Sequence, residues 1–351
     1  MSNVFGHNFR IMTFGESRGP ALGVVIDGLP AGLRIFLKEL QKDLDRRAPG
    51  RSIFTSPRQE PDELEILSGL TAENRTNGAP LALLIRNRDA KSAEYESPHK
   101  FRPGHSDWPY FVKYGLDPQP GGGRSSGRET VSRVAAGAVA RQLLLPLGIK
   151  VQSYTVAVGP VRAEAIDPDF AERDPLRFAD RLLAAPAHRE VEAAISEGDS
   201  VGSVVEVNIS GIPAGWGEPV FAKLDAVLGA AFFSIGGVKA VEFGEGLSLA
   251  GRRGSQANDP LGPEGPLTNL AGGIIGGLST GLPVVARLFV KPTPTISREQ
   301  TSLTTDGQVT SIVGHGRHDP CLAPRLGPVA EAMALICLAD FHLEPRRRAE
   351  N

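Results

Sequence analysis

The spacing of apolar and polar residues along the chain predicts a protein that mixes strands and helices. Apolar residues that alternate with polar ones, or that form short runs between turn residues, indicate strands. Apolar residues that recur every three to four positions indicate helices. This pattern predicts strands at residues 8–14, 21–26, 64–67, 81–85, 150–158, 205–209, 238–243 and 283–290, and helices at residues 37–47, 128–145, 189–196, 220–233 and 328–341.

Two of these segments illustrate the two periods. In residues 37–47 the leucines fall on one stripe of a helix, and Pro49 and Gly50 follow as a stop signal. In residues 205–209, Val and Ile alternate with polar residues, as expected for a strand with one face buried.

One short motif occurs twice and raises the question of an internal repeat. Residues 28–32 read GLPAG and residues 211–215 read GIPAG, and each follows a strand and precedes a helix. The recurrence fits two related halves packed into one domain. A shared turn motif of the G-x-P-x-G type explains it equally well, so both interpretations stay open at this point.

Composition and charge narrow the class of protein. The chain has 351 residues, with 38 Lys and Arg against 40 Asp and Glu, so its net charge is -2. It lacks the global basic field of nucleic-acid-binding proteins, and no apolar run approaches bilayer length. The only cysteines, Cys321 and Cys337, in a chain without a signal peptide indicate a reducing cytoplasm. We expect a cytoplasmic enzyme without nucleic-acid, membrane or metal partners, and any anion must be recognised locally.

The strongest candidate for such local recognition is the run GGGRSSGRET at residues 121–130. Glycines let the backbone approach a phosphate, a helix N-terminus carries partial positive charge, and arginine adds a bidentate fork. The run lacks the Gly-Lys-Ser/Thr of a Walker A loop, and no strand leads directly into a dinucleotide-binding G-x-G-x-x-G. It ends an aperiodic stretch, 92–123, that is too long for an ordinary connection, so we expect that stretch to be functional.

A second motif, GESRG at residues 15–19, matches the G-x-S-x-G nucleophile elbow and would make Ser17 a hydrolase nucleophile. The elbow requires a strand before it and a helix after it. Here a strand is predicted on both sides, which places Ser17 on a hairpin loop. Hydrolysis is therefore a minor alternative.

Two histidine clusters could carry chemistry. Arg102, His105 and Asp107 crowd a loop that Pro and Gly fix, and histidine titrates near neutral pH, so this cluster favours proton transfer over a structural role. The second cluster, HGRHDP at residues 315–320, has metal-ligand spacing only in a helix, which its Gly and Pro disfavour.

Two further segments could contact a ligand. The prolines in KPTPT, residues 291–295, keep that run extended, and the glycines in AGGIIGGLS, residues 271–279, allow close approach to the backbone. Tight chain crossing explains the glycines without a ligand.

Taken together, these motifs resemble the chorismate synthase family over nearly the whole chain. The matching stretches follow the family's order: FGES at 14–17, DRR with PG at 45–50, EPD at 60–62, RPGH at 102–105, GGGRSSGRE at 121–129, GWGEP at 215–219, NLAGGIIGG at 269–277 and GRHDPC at 316–321.

The resemblance implies a carbon–oxygen lyase that converts 5-enolpyruvylshikimate 3-phosphate to chorismate and phosphate by anti-1,4-elimination, with reduced FMN. It implies catalytic roles for His105, Asp319 and Arg18, which occupies the place of a family histidine. It implies substrate contacts at Ser17, Arg46, Arg47, Arg102 and Arg128. Implied flavin contacts are Arg124, Ser125, Ser126, Gly236, Gly237, Gly276, Lys291, Pro292, Thr293, Pro294, Thr295 and Arg317.

The fold implied is a single α/β (α+β) domain over residues 1–351, with helices between antiparallel sheets, assembled as a homotetramer. We expect a loose C-terminal tail at 343–351. The reductant that the resemblance suggests is NADPH, or else a separate flavin reductase reduces the FMN.

The chain departs from the family at three positions that matter for charge. Arg18 replaces a histidine assigned to protonating the leaving phosphate, and Ala48 and Ile53 stand where arginine is common. Ile53 weakens the case for a nicotinamide contact. Arginine binds phosphate well but is a poor proton donor, because its pKa stays above ~12.

Three explanations account for these departures: a working enzyme in which Arg18 clamps phosphate, a paralogue acting on a related cyclohexene, or a flavin-binding relative with little activity. Full-length agreement favours the first.

Overall fold

The computed structural model describes residues 3–50, 52–56, 61–88, 99–314 and 318–344 of the chain. The α-helices in these ranges are α1 (Leu37–Arg47), α2 (Asp107–Tyr114), α3 (Thr130–Leu144), α4 (Pro168–Ala171), α5 (Ala184–Ser196), α6 (Leu224–Phe233), α7 (Gly254–Ala257) and α8 (Ala323–Leu343). Short 3-10 helices lie at Pro120–Ser125, Gly127–Glu129, Leu145–Leu147 and Gly246–Gly251.

The first of two large sheets is built from the N-terminal part of the chain. Its strands are β1 (Val4–Phe5), β2 (Arg10–Gly15), β3 (Ala21–Asp27), β4 (Leu64–Ser68) and β5 (Leu81–Arg86), in the order β1-β2-β3-β5-β4. Every neighbouring pair is antiparallel.

The second large sheet follows the same plan. Its strands are β6 (Lys150–Val158), β7 (Val161–Arg162), β8 (Ser203–Ser210), β9 (Val238–Phe243) and a later strand, β14 (Val284–Val290), in the order β7-β6-β8-β14-β9. Small hairpins occupy the intervals: β10 (Leu261–Gly262), β11 (Gly265–Pro266), β12 (Ile274–Ile275), β13 (Leu278–Ser279), β15 (Glu299–Leu303) and β16 (Val309–Val313).

The same order of elements recurs in the two halves. In each, two paired strands are followed by a helix, an edge strand, an inner strand and a long helix: β2, β3, α1, β4, β5, α3 and then β6, β8, α6, β9, β14, α8. The two G-x-P-x-G motifs occupy equivalent turns. Gly28 and Gly211, the first glycine of each, have positive φ, and a Cβ on either would collide with a backbone carbonyl just before β2 or β6. The topology supports two related halves.

The helices α1, α3, α6 and α8 lie between the two sheets, as expected for this fold class, and one hydrophobic core joins both halves. The long helices α3 and α8 pack against each other at the centre. They approach closely because α3 has Gly137 at the crossing, where a Cβ would lie 2.4 Å from the Cα of Ala332. By length and composition α8 could cross a membrane, yet most of it is buried, and a buried core helix passes the same test.

The predicted bounds of α1, β6 and β9 are confirmed, and other predicted elements need correction. Helix α6 begins at Leu224 rather than 220, because residues 217–223 form a turn closed by a bridge between Glu218 and Ala222. Helix α8 begins at Ala323 and contains Pro328, so it starts a turn earlier than predicted.

Three further differences reflect tertiary contacts. Strand β8 is buried on both faces, because α8 packs against it while Glu206 pairs with Tyr154 and Arg287 of the two neighbouring strands. The aperiodic stretch 92–123 contains α2. This helix has 8 residues, too few to show a helical period in the sequence, so it was not predicted. Leu343 still belongs to α8, so the tail expected from 343 begins no earlier than 344.

Candidate active site

A cleft of about 480 Å³ opens where the N-terminal ends of α3 and α8 meet. The loop between β2 and β3, the RPGH loop, the glycine run before α3, and the segment after β14 complete its walls. It brings together predicted site residues that are far apart in sequence: Ser17, Arg18, Arg102, His105, Arg124, Ser125, Ser126, Arg128, Gly236, Gly237, Lys291, Thr293, Pro294, Thr295 and Asp319.

The glycine run shapes one wall. Gly121, Gly122 and Gly123 all have positive φ, a conformation that other residues seldom adopt. A Cβ on Gly121 would lie 3.0 Å from Nε of Arg18, and one on Gly122 would lie 2.9 Å from Cε1 of His105. The glycines therefore leave room for these two side chains against the backbone.

The loop between β2 and β3 presents Ser17 and Arg18 to the cleft. Ser17 is buried and Arg18 is half-buried. Because strands precede and follow this loop, it cannot form a nucleophile elbow. Ser17 therefore lacks the strand–turn–helix arrangement that the hydrolase alternative requires.

His105 is oriented by a buried carboxylate. Its Nδ1 lies 2.7 Å from Oδ1 of Asp107, and Arg102 binds both oxygens of Asp107 at 2.7 and 2.8 Å. Burial alone would raise the pKa of Asp107, but its hydrogen bonds to His105 and Arg102 outweigh burial and lower that pKa well below its usual range. A carboxylate on Nδ1 favours the tautomer that carries its proton there, which leaves Nε2 to exchange a proton with the cleft.

Arg124 ties the glycine run to the first sheet. It donates to the backbone oxygen of Gly15 at 3.2 Å and to Oγ1 of Thr13 at 2.9 Å. The next residues begin the turn that leads into α3, where Ser126 accepts a hydrogen bond from the backbone of Arg128. The N-terminal end of α3 is thus fixed against the loop that carries Arg18.

Beneath the cleft, Asp62 pairs with two arginines. It accepts from Arg47 at 2.8 Å and makes an ion pair with Arg128, which reaches the cleft surface. Burial, followed by repulsion from Arg325, lowers the pKa of Arg47 to about 9. Burial would raise the pKa of Asp62, but Arg47 and Arg128 outweigh it and lower that pKa. Arg47 therefore supports Arg128 from below and does not line the cleft.

Asp319 is held by groups from three segments. Its Oδ1 accepts from the backbone of Ser56 at 2.7 Å, its Oδ2 accepts from Arg325 at 2.7 Å, and its backbone oxygen accepts from Thr293 at 2.7 Å. Arg325, in the first turn of α8, had no motif of its own in the sequence, and only the fold shows that it reaches the cleft. Arg133 of α3 also lines the cleft without a motif of its own in the sequence, whereas His318 belongs to the second histidine cluster.

The end of β14 supplies Lys291, whose Nζ lies 2.5 Å from the backbone oxygen of Gly104. Burial, followed by repulsion from Lys239, lowers the pKa of Lys291. Thr293, Pro294 and Thr295 follow it along the cleft wall, whereas Pro292 faces away and lies beside Gly202.

The structure places three other predicted residues elsewhere. Arg46 pairs with Glu331 at 2.7 Å and with Glu172 at 2.9 Å on the far side of α1, so it has an ion-pair role away from the cleft. Gly276 lies in the turn between β12 and β13, outside the cleft lining. Arg317 lies outside the described residues.

The cleft is strongly cationic although the chain is nearly neutral. Among the described residues its lining holds seven cationic side chains and two carboxylates, Glu129 and Asp319. Two helix N-termini add partial positive charge. The same ranges bring together no group of three His, Cys, Asp or Glu side chains that could hold a metal ion. The arrangement suits a ligand with several negative charges.

Comparisons with known proteins agree on one family. A family model described as "Chorismate synthase" matches residues 9–343. The chain is 51% identical to the chorismate synthase of Syntrophobacter fumaroxidans over 97% of both chains, and 51% identical to that of Methanocella arvoryzae over 96% of this chain and 93% of the relative. A crystal structure titled as chorismate synthase has a TM-score of 0.76 at 29% identity, covering 97% of this chain and 93% of that one.

Proposed function

The chain belongs to the chorismate synthase family, and from this premise we propose that the cleft between the N-terminal ends of α3 and α8 is its active site. The family's enzymes are carbon–oxygen lyases of aromatic amino-acid biosynthesis. Their reaction converts 5-enolpyruvylshikimate 3-phosphate to chorismate and phosphate. The observation that carries the proposal is the convergence of His105, Asp319 and Arg18 on one cationic cleft.

The chemistry requires both anion binding and proton management. The carbon–oxygen bond breaks and its electron pair leaves with phosphate. The electrons of a ring carbon–hydrogen bond form one new double bond, and the existing ring double bond shifts toward the carbon that loses phosphate, so the ring becomes a diene. The substrate carries a phosphate and carboxylates, so its binding needs several cations. Arg18, Arg102, Arg128 and Arg325 are the guanidiniums that we assign to those groups.

The lining also fits the family's cofactor, FMN. The cavity volume lies within the range of small-molecule pockets. Gly236 leaves open space, since a Cβ there would meet no atom within 4 Å. We assign to holding the flavin the cleft-lining residues Arg124, Ser125, Ser126, Gly236, Gly237, Lys291, Thr293, Pro294 and Thr295, without Pro292. When bound, reduced FMN supplies electron density that assists loss of phosphate from a ring lacking an activating carbonyl. NADPH and a separate reductase are the candidate sources of its electrons.

Arg18 clamps the leaving phosphate in this proposal. Its guanidinium can bind two phosphate oxygens and stabilise the charge that develops as the bond breaks. Because arginine stays protonated at neutral pH, it cannot deliver a proton to that phosphate. His105, with Nε2 toward the cleft and Asp107 on Nδ1, is the side chain that we assign to holding a proton near the reacting groups.

Asp319 is the carboxylate assigned to removing the ring proton. Its oxygens are fixed by the backbone of Ser56 and by Arg325. Arg325 also lines the cleft, so an incoming anion can compete with Asp319 for the guanidinium.

Anaerobic turnover of 5-enolpyruvylshikimate 3-phosphate with chemically reduced FMN tests the assignment. We expect chorismate and phosphate to appear together in equal amounts. Tight FMN binding without product would count against the assignment. It would favour a paralogue that eliminates phosphate from another cyclohexene, for which Arg18 is the motivating difference. Ile53 is less relevant to that alternative, because its side chain is exposed and does not line the cleft.

The family is consistent with an oligomeric enzyme acting on a small molecule. We propose a cytoplasmic homotetramer without nucleic-acid or membrane partners. Light scattering after size-exclusion chromatography tests the assembly, and a mass of one 37.2 kDa chain would contradict it.

A further inference from the structure

Asn87 lies between two parts of the cleft wall that carry arginines. It directly follows β5, whose last residue, Arg86, is paired with Ala21 of β3. This register places Asn87 beside the loop of residues 15–19, just before β3 begins. Asn87 is half-buried and does not itself line the cleft. Any effect that it has on the site must therefore pass through its neighbours.

The side-chain amide of Asn87 holds the backbone of that loop. Its Nδ2 donates to the backbone oxygens of Gly19 at 2.7 Å, Glu16 at 3.0 Å and Ser17 at 3.3 Å. Since Nδ2 carries two hydrogens, one of them is shared between two oxygens. Ser17 and Gly19 flank Arg18, so these bonds fix the backbone from which the Arg18 side chain extends.

The loop needs such an attachment because it lies outside the sheet. Residues 16–19 connect β2 to β3, beyond the paired residues of either strand. The backbone N–H of Ser17 donates to the backbone oxygen of Gly123 at 3.4 Å, which attaches the loop to the glycine run. Buried carbonyls require a donor. The amide of Asn87 supplies it and attaches the loop to the end of β5.

The oxygen of the same amide orients Arg128. Nε of Arg128 donates to Oδ1 of Asn87 at 2.9 Å. The two terminal nitrogens of that guanidinium donate to Asp62 and, at 3.4 Å, to the backbone oxygen of Arg86. A guanidinium is planar, so contacts at all three nitrogens fix both its plane and its direction. Asn87 therefore contacts the loop that carries Arg18 and the Arg128 side chain at once.

We propose that Asn87 is a positioning residue that holds Arg18 and Arg128 at a fixed spacing, so that the two guanidiniums bind the substrate's phosphate together. The inference rests on the proposed function, in which both arginines bind anionic groups of the substrate. An amide suits this role because one short side chain carries donors for the loop and an acceptor for Arg128. Aspartate lacks the donors, and leucine lacks both.

Binding of inorganic phosphate to the full chain, without substrate or flavin, tests this role by isothermal titration calorimetry. Asn87→Ala removes the bonds to the loop and to Arg128, so the dissociation constant of phosphate should rise about tenfold. Gln142→Ala is the matched control. Gln142 also holds backbone through both ends of its amide, since it contacts the oxygen of Phe36 at 3.1 Å and its nitrogen at 2.8 Å, at the far end of α3. That control should leave the dissociation constant unchanged, and urea unfolding verifies that both variants fold.

A double-mutant cycle separates positioning from a general loss of stability. Arg128→Lys keeps the positive charge but loses the planar guanidinium that Asn87 orients. If Asn87 acts through Arg128, combining Asn87→Ala with Arg128→Lys should weaken phosphate binding by less than the product of the two single effects. Arg102→Lys is the comparison, because Arg102 is oriented by Asp107. Its effect should multiply with that of Asn87→Ala.

Several results would overturn the proposal: a wild type that does not bind phosphate, an unchanged dissociation constant in folded Asn87→Ala, equal weakening in Gln142→Ala, or effects that multiply with Arg128→Lys. If Asn87→Ala does not fold, Asn87→Asp takes its place. It keeps an oxygen for Arg128 and loses the donors to the loop, so it should weaken phosphate binding, and wild-type affinity would contradict the role.

Failure of this inference is distinguishable from failure of the proposed function. Phosphate binding requires neither turnover nor flavin. A wild type that binds phosphate but forms no chorismate would contradict the proposed reaction, while the dissociation constants of the variants would still decide the role of Asn87.

Discussion

At the scale of single residues, the cleft depends on a few side-chain pairs that orient its reactive groups. Asp107 fixes His105, Arg325 contacts Asp319, and Asp62 supports Arg128. In each pair a carboxylate sets the position of a group that faces the cleft. Substitution of one partner in each pair therefore tests the role of the group that it orients.

Arg18→His tests whether the chain lacks a proton donor at the leaving phosphate. An imidazole can donate a proton there, so kcat should rise by about tenfold or more, within the usual range of general acid catalysis. KM should rise as well, because a bidentate phosphate contact is lost. Steady-state kinetics with reduced FMN measures both. The control Arg181→His, at an exposed ion pair with Asp167, should change neither kcat nor KM. An unchanged or lower kcat in Arg18→His would argue against placing Arg18 beside the phosphate.

Asp107→Asn tests the orientation of His105. The amide removes the carboxylate that favours a proton on Nδ1, so kcat should fall about 10- to 1000-fold while FMN affinity changes little. His105→Ala should likewise lower kcat while FMN affinity changes little. Nitrogen NMR of the His105 ring should reveal the altered tautomer in Asp107→Asn. An unaltered ring spectrum with lower kcat would mean that Asp107 acts only through loop stability.

At the scale of secondary structure, the close contact of α3 and α8 determines where the cleft lies. Both helices begin at the cleft and cross at Gly137 and Ala332. Their spacing therefore fixes the distance between the groups at their N-terminal ends, including Arg128 and Arg325.

Gly137→Ala tests this spacing. The added methyl would lie 2.4 Å from Ala332, so the helices must separate, and we expect a loss of about 1–3 kcal/mol in unfolding free energy. Gly229→Ala in α6 is the control. A Cβ there meets no atom within 4 Å, and it should stabilise the protein by about 0.5–1 kcal/mol through helix propensity. Urea unfolding compares the two, and equal effects would contradict a tight crossing.

Glu331 links α8 to its neighbours through charge. Its side chain is 1% exposed and pairs with Arg46 of α1, Arg141 of α3 and Arg177. Burial alone would raise the pKa of Glu331, but these arginines outweigh it and lower that pKa to about 2.

The lowered pKa predicts a specific loss of stability in acid. The folded-state pKa lies below the unfolded value of about 4.5, so the stabilisation is complete above that value and is lost as pH falls toward 2. Glu331→Gln should cost about 3–5 kcal/mol in unfolding free energy at pH 7, because buried Arg177 and half-buried Arg46 and Arg141 lose a charged partner. The substitution should also make the fall in unfolding free energy between pH 7 and pH 3 smaller by roughly 2 kcal/mol. Urea unfolding at both pH values measures the two effects. The control Glu65→Gln, at an exposed ion pair, should change neither the stability at pH 7 nor its pH dependence. If Glu331→Gln loses as much stability between pH 7 and pH 3 as the wild type, Glu331 is not the source of the acid effect.

At the scale of the whole molecule, one core joins both halves of the fold. The helix layer contacts both sheets, so neither half can unfold without exposing apolar surface of the other. We expect residues 1–351 to behave as a single domain, apart from the C-terminal tail. Calorimetry should show one cooperative transition, and two separated transitions would contradict a single domain.

Local chemistry in the sequence was sufficient for much of the fold. The leucine stripe of α1 and the β-branched runs of β6 and β9 produced correct bounds, because helix and strand periods are properties of neighbouring residues. The glycine run at 121–123 also signalled its own geometry, since only glycine adopts positive φ at three successive positions without strain. The shared motifs identified the family.

Tertiary structure decided which side chains share the cleft. Arg46 and Arg47 are adjacent in one motif, yet successive helix residues point about 100° apart, so one joins Glu331 and the other Asp62. Ser56 reaches Asp319, and both faces of β8 are buried, only because distant segments pack there. Periodicity in sequence reports the neighbours of a residue along the chain. Charge pairing and burial depend on contacts between segments that are separated along the chain, and those contacts exist only once the chain has folded.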